Sequence, residues 1–287
     1  MAGCESSILC TPPNKEGKIN DAILFAAKLT GVNKIYKIGG SQAIAAMAYG
    51  TETIPKVDKI FGPGNQFVMA AKQLVTLENV AIDMPAGPSE VAVIADDSCQ
   101  PEFVAADLLS QAEHGPDSQV LLITPHAEII QPVQIEIDRQ LATLPRKDIA
   151  EKSLANSQII LVKNMAEAIE ITNEYAPEHL IIATRNPREI AHQIQHAGSV
   201  FLGHYSTESA GDYASGTNHT LPTKGYAKAY SGLCLDSFMR KITYQELSAD
   251  GLRHLGPIIE EMAQAEQLTA HKQAVSIRLA TLSTENQ

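Results

Sequence analysis

The sequence predicts an α/β protein with two Rossmann-like parallel-sheet domains and a C-terminal helical tail. Three observations carry that expectation. Short Val- and Ile-rich runs alternate with stretches of helical apolar spacing, the connections between them are short and often contain glycine, and beyond Tyr244 the pattern turns wholly helical. Strand–helix alternation with short links favours parallel strands with helices across both faces.

Taken in order, Ser6 to Cys10 reads as a strand closed by Pro12 and Pro13, and Asp21 to Leu29 as a helix. Lys34 to Ile38 reads as the next strand, followed by a helix from Ser41 to Tyr49 that Gly50 ends. Two turns, Gly39-Gly40-Ser41-Gln42 and Phe61-Gly62-Pro63-Gly64-Asn65, follow strands and open helices. Such turns suit the approach of a phosphate, although neither is a G-x-G-x-x-G. A second α/β unit is expected over 91–233. Its strands are Val91 to Ala95, Val120 to Thr124, Gln158 to Val162, Leu180 to Ala183 and Ser199 to Leu202, and a helical stretch from Glu102 to Glu113 follows the first. Leu252 to Gln264 and Thr269 to Leu282 are the clearest helices of the tail. Because so little precedes the first strand, the chain reads as beginning inside a domain.

Composition narrows the function. The 287 residues are 44% hydrophobic and 19% charged, the balance of a folded globular chain. A net charge of -11 without a Lys/Arg cluster argues against nucleic-acid partners and for small molecules. No apolar run approaches the roughly 20 residues that span a bilayer, and the N-terminus lacks a signal-peptide plan, so no membrane partner is expected and a cytoplasmic location is. Cys4, Cys10, Cys99 and Cys234 have irregular spacings that fit neither a disulfide framework nor a zinc finger.

Four places concentrate polar residues that could carry chemistry. At the end of one helix, Gln111 and His114 lie three residues apart and share a face, so both could reach one ligand; a histidine there also suits the helix dipole without any ligand. Glu178 and His179 stand side by side before an apolar strand. They read either as two proton-transfer groups or as a polar turn after Pro177. The stretch from Ser209 to His219 is dense in small residues that admit close approach, with Asp212 and His219 as potential ligands, or it is an ordinary loop. In the tail, Glu266 and His271 flank Leu268-Thr269-Ala270, where a lone helical histidine is more often structural.

Together these segments resemble histidinol dehydrogenase from Ala2 nearly to the C-terminus. The most specific stretches are Val57 to Asn65 (VDKIFGPGN), Ile82 to Glu90 (IDMPAGPSE), and Ser209 to His219 followed by Thr220-Leu221-Pro222-Thr223. The resemblance implies oxidation of L-histidinol to L-histidine in two NAD-dependent steps. It implies that zinc (Zn2+) is held by Gln111, His114, Asp212 and His271, and that Glu178 and His179 transfer protons. It further implies that Ser89, His179, His219 and Glu266 hold the substrate alongside the zinc-binding residues, and that Gln42 and Asn65 contact NAD. The family's chains extend further at the N-terminus, and its Tyr-Ile-Pro-Gly-Gly turn has no counterpart here. Both α/β domains are therefore expected to be incomplete on their N-terminal side. On this reading 1–90 is most of the smaller NAD-binding domain, 91–233 the remainder of the larger zinc- and substrate-binding domain, and 234–287 a helical dimerisation segment. His271 is expected to complete the site of the other subunit of a homodimer, since Leu268, Val275, Ile277 and Leu279 need a surface to cover them. Two rivals remain: a zinc hydrolase in which Glu178 activates a metal-bound water, and an inactive fragment that keeps only metal and dimer contacts.

Overall fold

The structure, a computed structural model, describes residues 2–284. These form two compact units, 2–239 and 240–284.

In the first unit, β1 (Ile8–Cys10) and β2 (Lys34–Tyr36) pair in parallel around α1 (Asp21–Thr30). After α2 (Gly40–Tyr49), β3 (Lys59–Ile60) pairs in parallel with β4 (Ala81–Ile82) across α3 (Gln66–Val75). Local chemistry sets the helix ends: Asn20 caps α1 and Asn65 caps α3 through side-chain oxygens, while Gly31 and Gly50 end α1 and α2 at positive φ. β3 is the short strand expected ahead of the Phe61 turn, whereas the two-residue β4 is too short to show a period and has no counterpart among the expected strands.

The main sheet is built from β5 (Glu90–Ala95), β6 (Gln119–Thr124), β7 (Gln158–Leu161), β8 (His179–Ala183) and β9 (Ser199–Leu202), in the order β7-β6-β5-β8-β9. Every pairing is parallel, as the alternation required. The crossovers are α4 (Pro101–Ala112), α5 (Ala127–Leu141), α6 (Lys147–Leu154), α7 (Met165–Tyr175) and α8 (Pro187–Ala191), and α9 (Glu208–Tyr213) follows β9. β5 is buried along its whole length because both faces are covered. Val91, Val93 and Ala95 pack with Val104, Leu108, Val133 and Ile137 on one side. Ala92 and Ile94 pack with Ile123, Ile169, Leu180 and Ile182 on the other. The strand order reverses between β5 and β8.

The second unit is a helical hairpin, α10 (Ala249–Ala265) and α11 (Thr269–Thr284). Gly256 lets the helices close: a Cβ there would lie 2.7 Å from Leu279 Cδ1. Leu279, expected to need an outside surface, is thus partly covered within the hairpin, and Val275 is only partly exposed. Leu268 and Ile277, with Ile258 and Met262, remain exposed.

Candidate metal and catalytic site

The five-stranded sheet and the loop after β3 enclose a cavity of about 430 Å³. Its walls bring together Asn65, Ser89, Gln111, His114, Glu178, His179, Asp212 and His219, residues drawn from segments far apart in the chain. Gln42 stands outside these walls, in the first turn of α2. Glu266 and His271 belong to the second unit, the first at the C-terminal end of α10 and the second exposed on α11.

Open α/β sheets ordinarily bind ligands beyond the carboxyl ends of their strands, at the point where strand order reverses. This cavity lies beside β5 and β8, where the order does reverse, but at their amino ends. Ser89 precedes β5, and His179 is the first residue of β8. Gln111 and His114 come from the C-terminal end of α4, whose partial negative charge favours a cation, and Asp212 comes from α9.

Glu178 and His179 are both nearly fully buried. Ala176 ends α7 with φ 53°, which turns the chain so that Pro177 and Glu178 lead directly into β8. Gly198 permits the start of β9 to approach: a Cβ there would lie 2.5 Å from the Glu178 carbonyl oxygen. Glu178 Oε2 accepts a hydrogen bond from the Glu90 backbone N–H at 2.9 Å. On His179, Nδ1 lies 3.3 Å from Gln111 Nε2 and 3.2 Å from the Glu90 carbonyl oxygen, while Nε2 lies 3.7 Å from Asp212 Oδ1. The Gln111 amide also donates to the Glu90 carbonyl at 3.1 Å, which aims its own oxygen away from that contact.

The site holds an excess of negative charge. Burial opposes the positive charge on His179, but the adjacent carboxylates of Asp212 and Glu178 outweigh it and push its pKa up to about 10. The His179 imidazole beside it holds the Asp212 carboxyl below the usual range. Burial raises Glu208 to about 8 and Glu90 to about 7, with nearby carboxylates adding to both. Among the described residues, Gln111 Oε1, His179 Nε2 and Glu208 Oε2 are buried and find no hydrogen-bond partner. An unpartnered buried polar atom costs about 1–3 kcal/mol, so clustered acceptors point to a ligand that satisfies them. One ligand atom each from His114, Glu208 and Asp212 all lie within 4.8 Å of one another. A nitrogen- and oxygen-only set of this kind fits a divalent cation such as zinc. Glu208 escaped the sequence reading because its signal is burial, which no motif announces.

Fold and cavity thus define an α/β protein with a buried carboxylate–imidazole pair beside a candidate divalent-cation centre. The model of the histidinol dehydrogenase family matches residues 1–279. A histidinol dehydrogenase of Bacteroides fragilis (strain YCH46) is 68% identical over 279 residues, covering 97% of this chain and 65% of the relative. One of Yersinia pestis is 56% identical, covering 99% and 63%. The crystal structure of histidinol dehydrogenase from Elizabethkingia anophelis superposes with a TM-score of 0.95 at 59% identity, covering 98% of this chain and 65% of that one. The chain belongs to the histidinol dehydrogenase family and spans about 65% of the length of relatives it matches.

Proposed function

We propose that the protein is a zinc-dependent oxidoreductase of histidine biosynthesis, taking L-histidinol through the aldehyde to L-histidine in two NAD-dependent steps. The observation that carries this reading is the convergence of Gln111, His114, Glu178, His179, Asp212 and His219 on one cavity, in a chain of this family.

His179 takes the alcohol proton as the carbon-bound hydrogen leaves as hydride; its unpartnered Nε2 faces Asp212, which orients the ring. Glu178 then takes a proton from the water as it adds to the aldehyde; the hydrate anion so formed gives up a second hydride, and the resulting acid releases its proton to leave the carboxylate. Burial of both groups excludes bulk water from the first step. Ser89, His219 and Glu266 hold the substrate. Gln42 and Asn65, at the starts of α2 and α3, contact NAD, which when bound supplies the hydride acceptor. A divalent cation on Gln111, His114 and Asp212 would anchor the substrate's imidazole and amine and take up the Asp212 charge that otherwise holds the proton on His179. His271 completes that set from across a homodimer. In this division 1–90 serves NAD, 91–233 zinc and substrate, and 234–287 dimerisation, in a cytoplasmic enzyme whose cysteines are free.

The test is single-turnover kinetics with NAD and either histidinol or the aldehyde. Glu178→Gln should slow aldehyde oxidation by roughly 10²-fold or more and alcohol oxidation far less, because only the second step consumes an activated water. Equal slowing of both steps would remove this role from Glu178. Failure of the parent protein to reduce NAD with histidinol would return the hydrolase and the inactive fragment to consideration.

A further inference from the structure

The last stretch of the first unit, from Gly232 to Phe238, carries contacts to which the reading above assigns no task. It starts fixed to the cavity wall. The Leu233 N–H donates to the Thr220 carbonyl at 3.0 Å, and Gly232 sits so close to Leu221 that a Cβ there would lie 2.5 Å from Leu221 Cδ2. Thr220 and Leu221 both line the cavity. The stretch ends in a short 3₁₀ turn, Leu235–Phe238, which a hydrogen bond from the Cys234 N–H to Ser237 Oγ at 3.2 Å holds closed. That turn meets the loop after β3. The rings of Phe238 and Phe61 stack with centroids 4.1 Å apart and planes inclined by 17°. Lys59 Nζ donates to the Ser237 carbonyl at 2.6 Å and lies 5.0 Å from the centroid of the Phe61 ring, so one cation holds both the turn and the ring.

Phe61 opens the loop whose Pro63, Gly64 and Asn65 form part of the cavity wall. Asn65 Oδ1 is committed to capping α3, accepting from the Phe67 and Val68 N–H groups at 3.1 Å each. The side-chain amide nitrogen is left to donate to a ligand, and its aim is set by where the loop and the first turn of α3 sit. We propose, on the reading above that Asn65 contacts NAD, that Phe238 is a positioning residue for the cofactor: its ring holds Phe61, and through Phe61 the loop that presents Asn65. Phe238 does this from outside the cavity wall, with 39% of its own surface exposed.

The experiment measures binding of NAD and of histidinol to the purified protein by calorimetry, each alone and without turnover. Phe238→Ala should raise the Kd for NAD roughly 3–10-fold, the scale of a lost aromatic pair, and leave that for histidinol unchanged. Phe238→Tyr keeps the ring face and should bind both as the parent does. An unchanged Kd for NAD in Phe238→Ala, an equal weakening of both ligands, or a Phe238→Tyr protein as weak as Phe238→Ala would each overturn the proposal. Asn65→Ala probes the underlying reading: NAD bound there as tightly as by the parent, or not bound by the parent at all, would overturn the loop as a cofactor contact. NAD weakened in Asn65→Ala but unaltered in Phe238→Ala would overturn only the role of Phe238. If Phe238→Ala does not fold, Phe238→Leu replaces it; it fills the space without a ring face and should also weaken NAD, and parental affinity there would refute the proposal.

Discussion

Asp107 shows how a single carboxylate can cost this protein stability at neutral pH. Burial raises its pKa to about 6, opposed only in part by the Thr207 hydrogen bond. The folded protein therefore holds this proton more tightly than the unfolded chain, whose aspartates titrate near ~3.9. Stability is fullest below the unfolded value, falls as pH rises, and is lowest once pH exceeds the folded value. Asp107→Asn should raise unfolding stability near ~pH 8 by on the order of 1–2 kcal/mol, and the gain should vanish near ~pH 4. Urea titrations of both proteins at the two pH values check this; a gain independent of pH would contradict it. The residue scale is also where the sequence was most informative about the pair Glu178 and His179, since adjacency before an apolar run is visible in the order of letters. It said nothing of Glu90, whose backbone N–H and carbonyl hold that pair in place.

Between residue and molecule, the loop from Phe61 to Asn65 is fixed by an ion pair that joins α3 to the end of β4. Lys72 and Asp83 form a salt bridge with side chains 1% and 0% exposed. Lys72 Nζ donates to the Gly62 carbonyl at 2.8 Å, and the Gly62 N–H donates to Asp83 Oδ2 at 2.8 Å. Both backbone polar groups of Gly62 are thereby held, with the residue at φ 138°, a conformation open to glycine and strained for other residues. The loop carries Asn65 to the cavity wall. Lys72→Met leaves the Asp83 charge buried without its cationic partner, which should cost about 3–5 kcal/mol. Lys72→Met/Asp83→Asn should recover part of that loss, and both variants should raise the KM for NAD more than that for histidinol. Chemical unfolding and steady-state kinetics give the two readouts; an unchanged KM for NAD would detach the loop from cofactor binding. The two partners lie eleven residues apart on different elements, so no periodicity in the sequence could pair them.

At the scale of the whole molecule, the proposed exchange of His271 across a homodimer has a direct genetic signature. His114→Ala and His271→Ala should each be nearly inactive. A mixed dimer would then hold one site with both defects and one with neither, so activity should return toward half of normal in the hybrid fraction. Subunit exchange demonstrated without recovery would assign His271 to its own chain or remove it from the metal. Dimers of this closed kind are the commonest assembly, and the exposed Leu268 and Ile277 suit such a surface. If the cation bridges subunits, zinc at about 100 times its Kd should stabilise the folded state by roughly 2.7 kcal/mol. Thermal melts with zinc and with chelator measure it.

By itself the sequence determined the parallel α/β class, the succession of its strands and helices, and the family, because apolar period and turn residues are local properties written in order along the chain. Among the residues it singled out, Asn65, Ser89, Gln111, His114, Glu178, His179, Asp212 and His219 line the cavity, whereas Gln42 stands outside its walls and Glu266 and His271 belong to the second unit. The tertiary structure decided what those residues meet. It placed the cavity at the amino ends of β5 and β8 rather than beyond their carboxyl ends, drew Glu208 beside His114 and Asp212, and locked Gly62 between Lys72 and Asp83. Burial and charge coupling depend on distances between segments far apart in the chain, and those exist only once the sheet has formed.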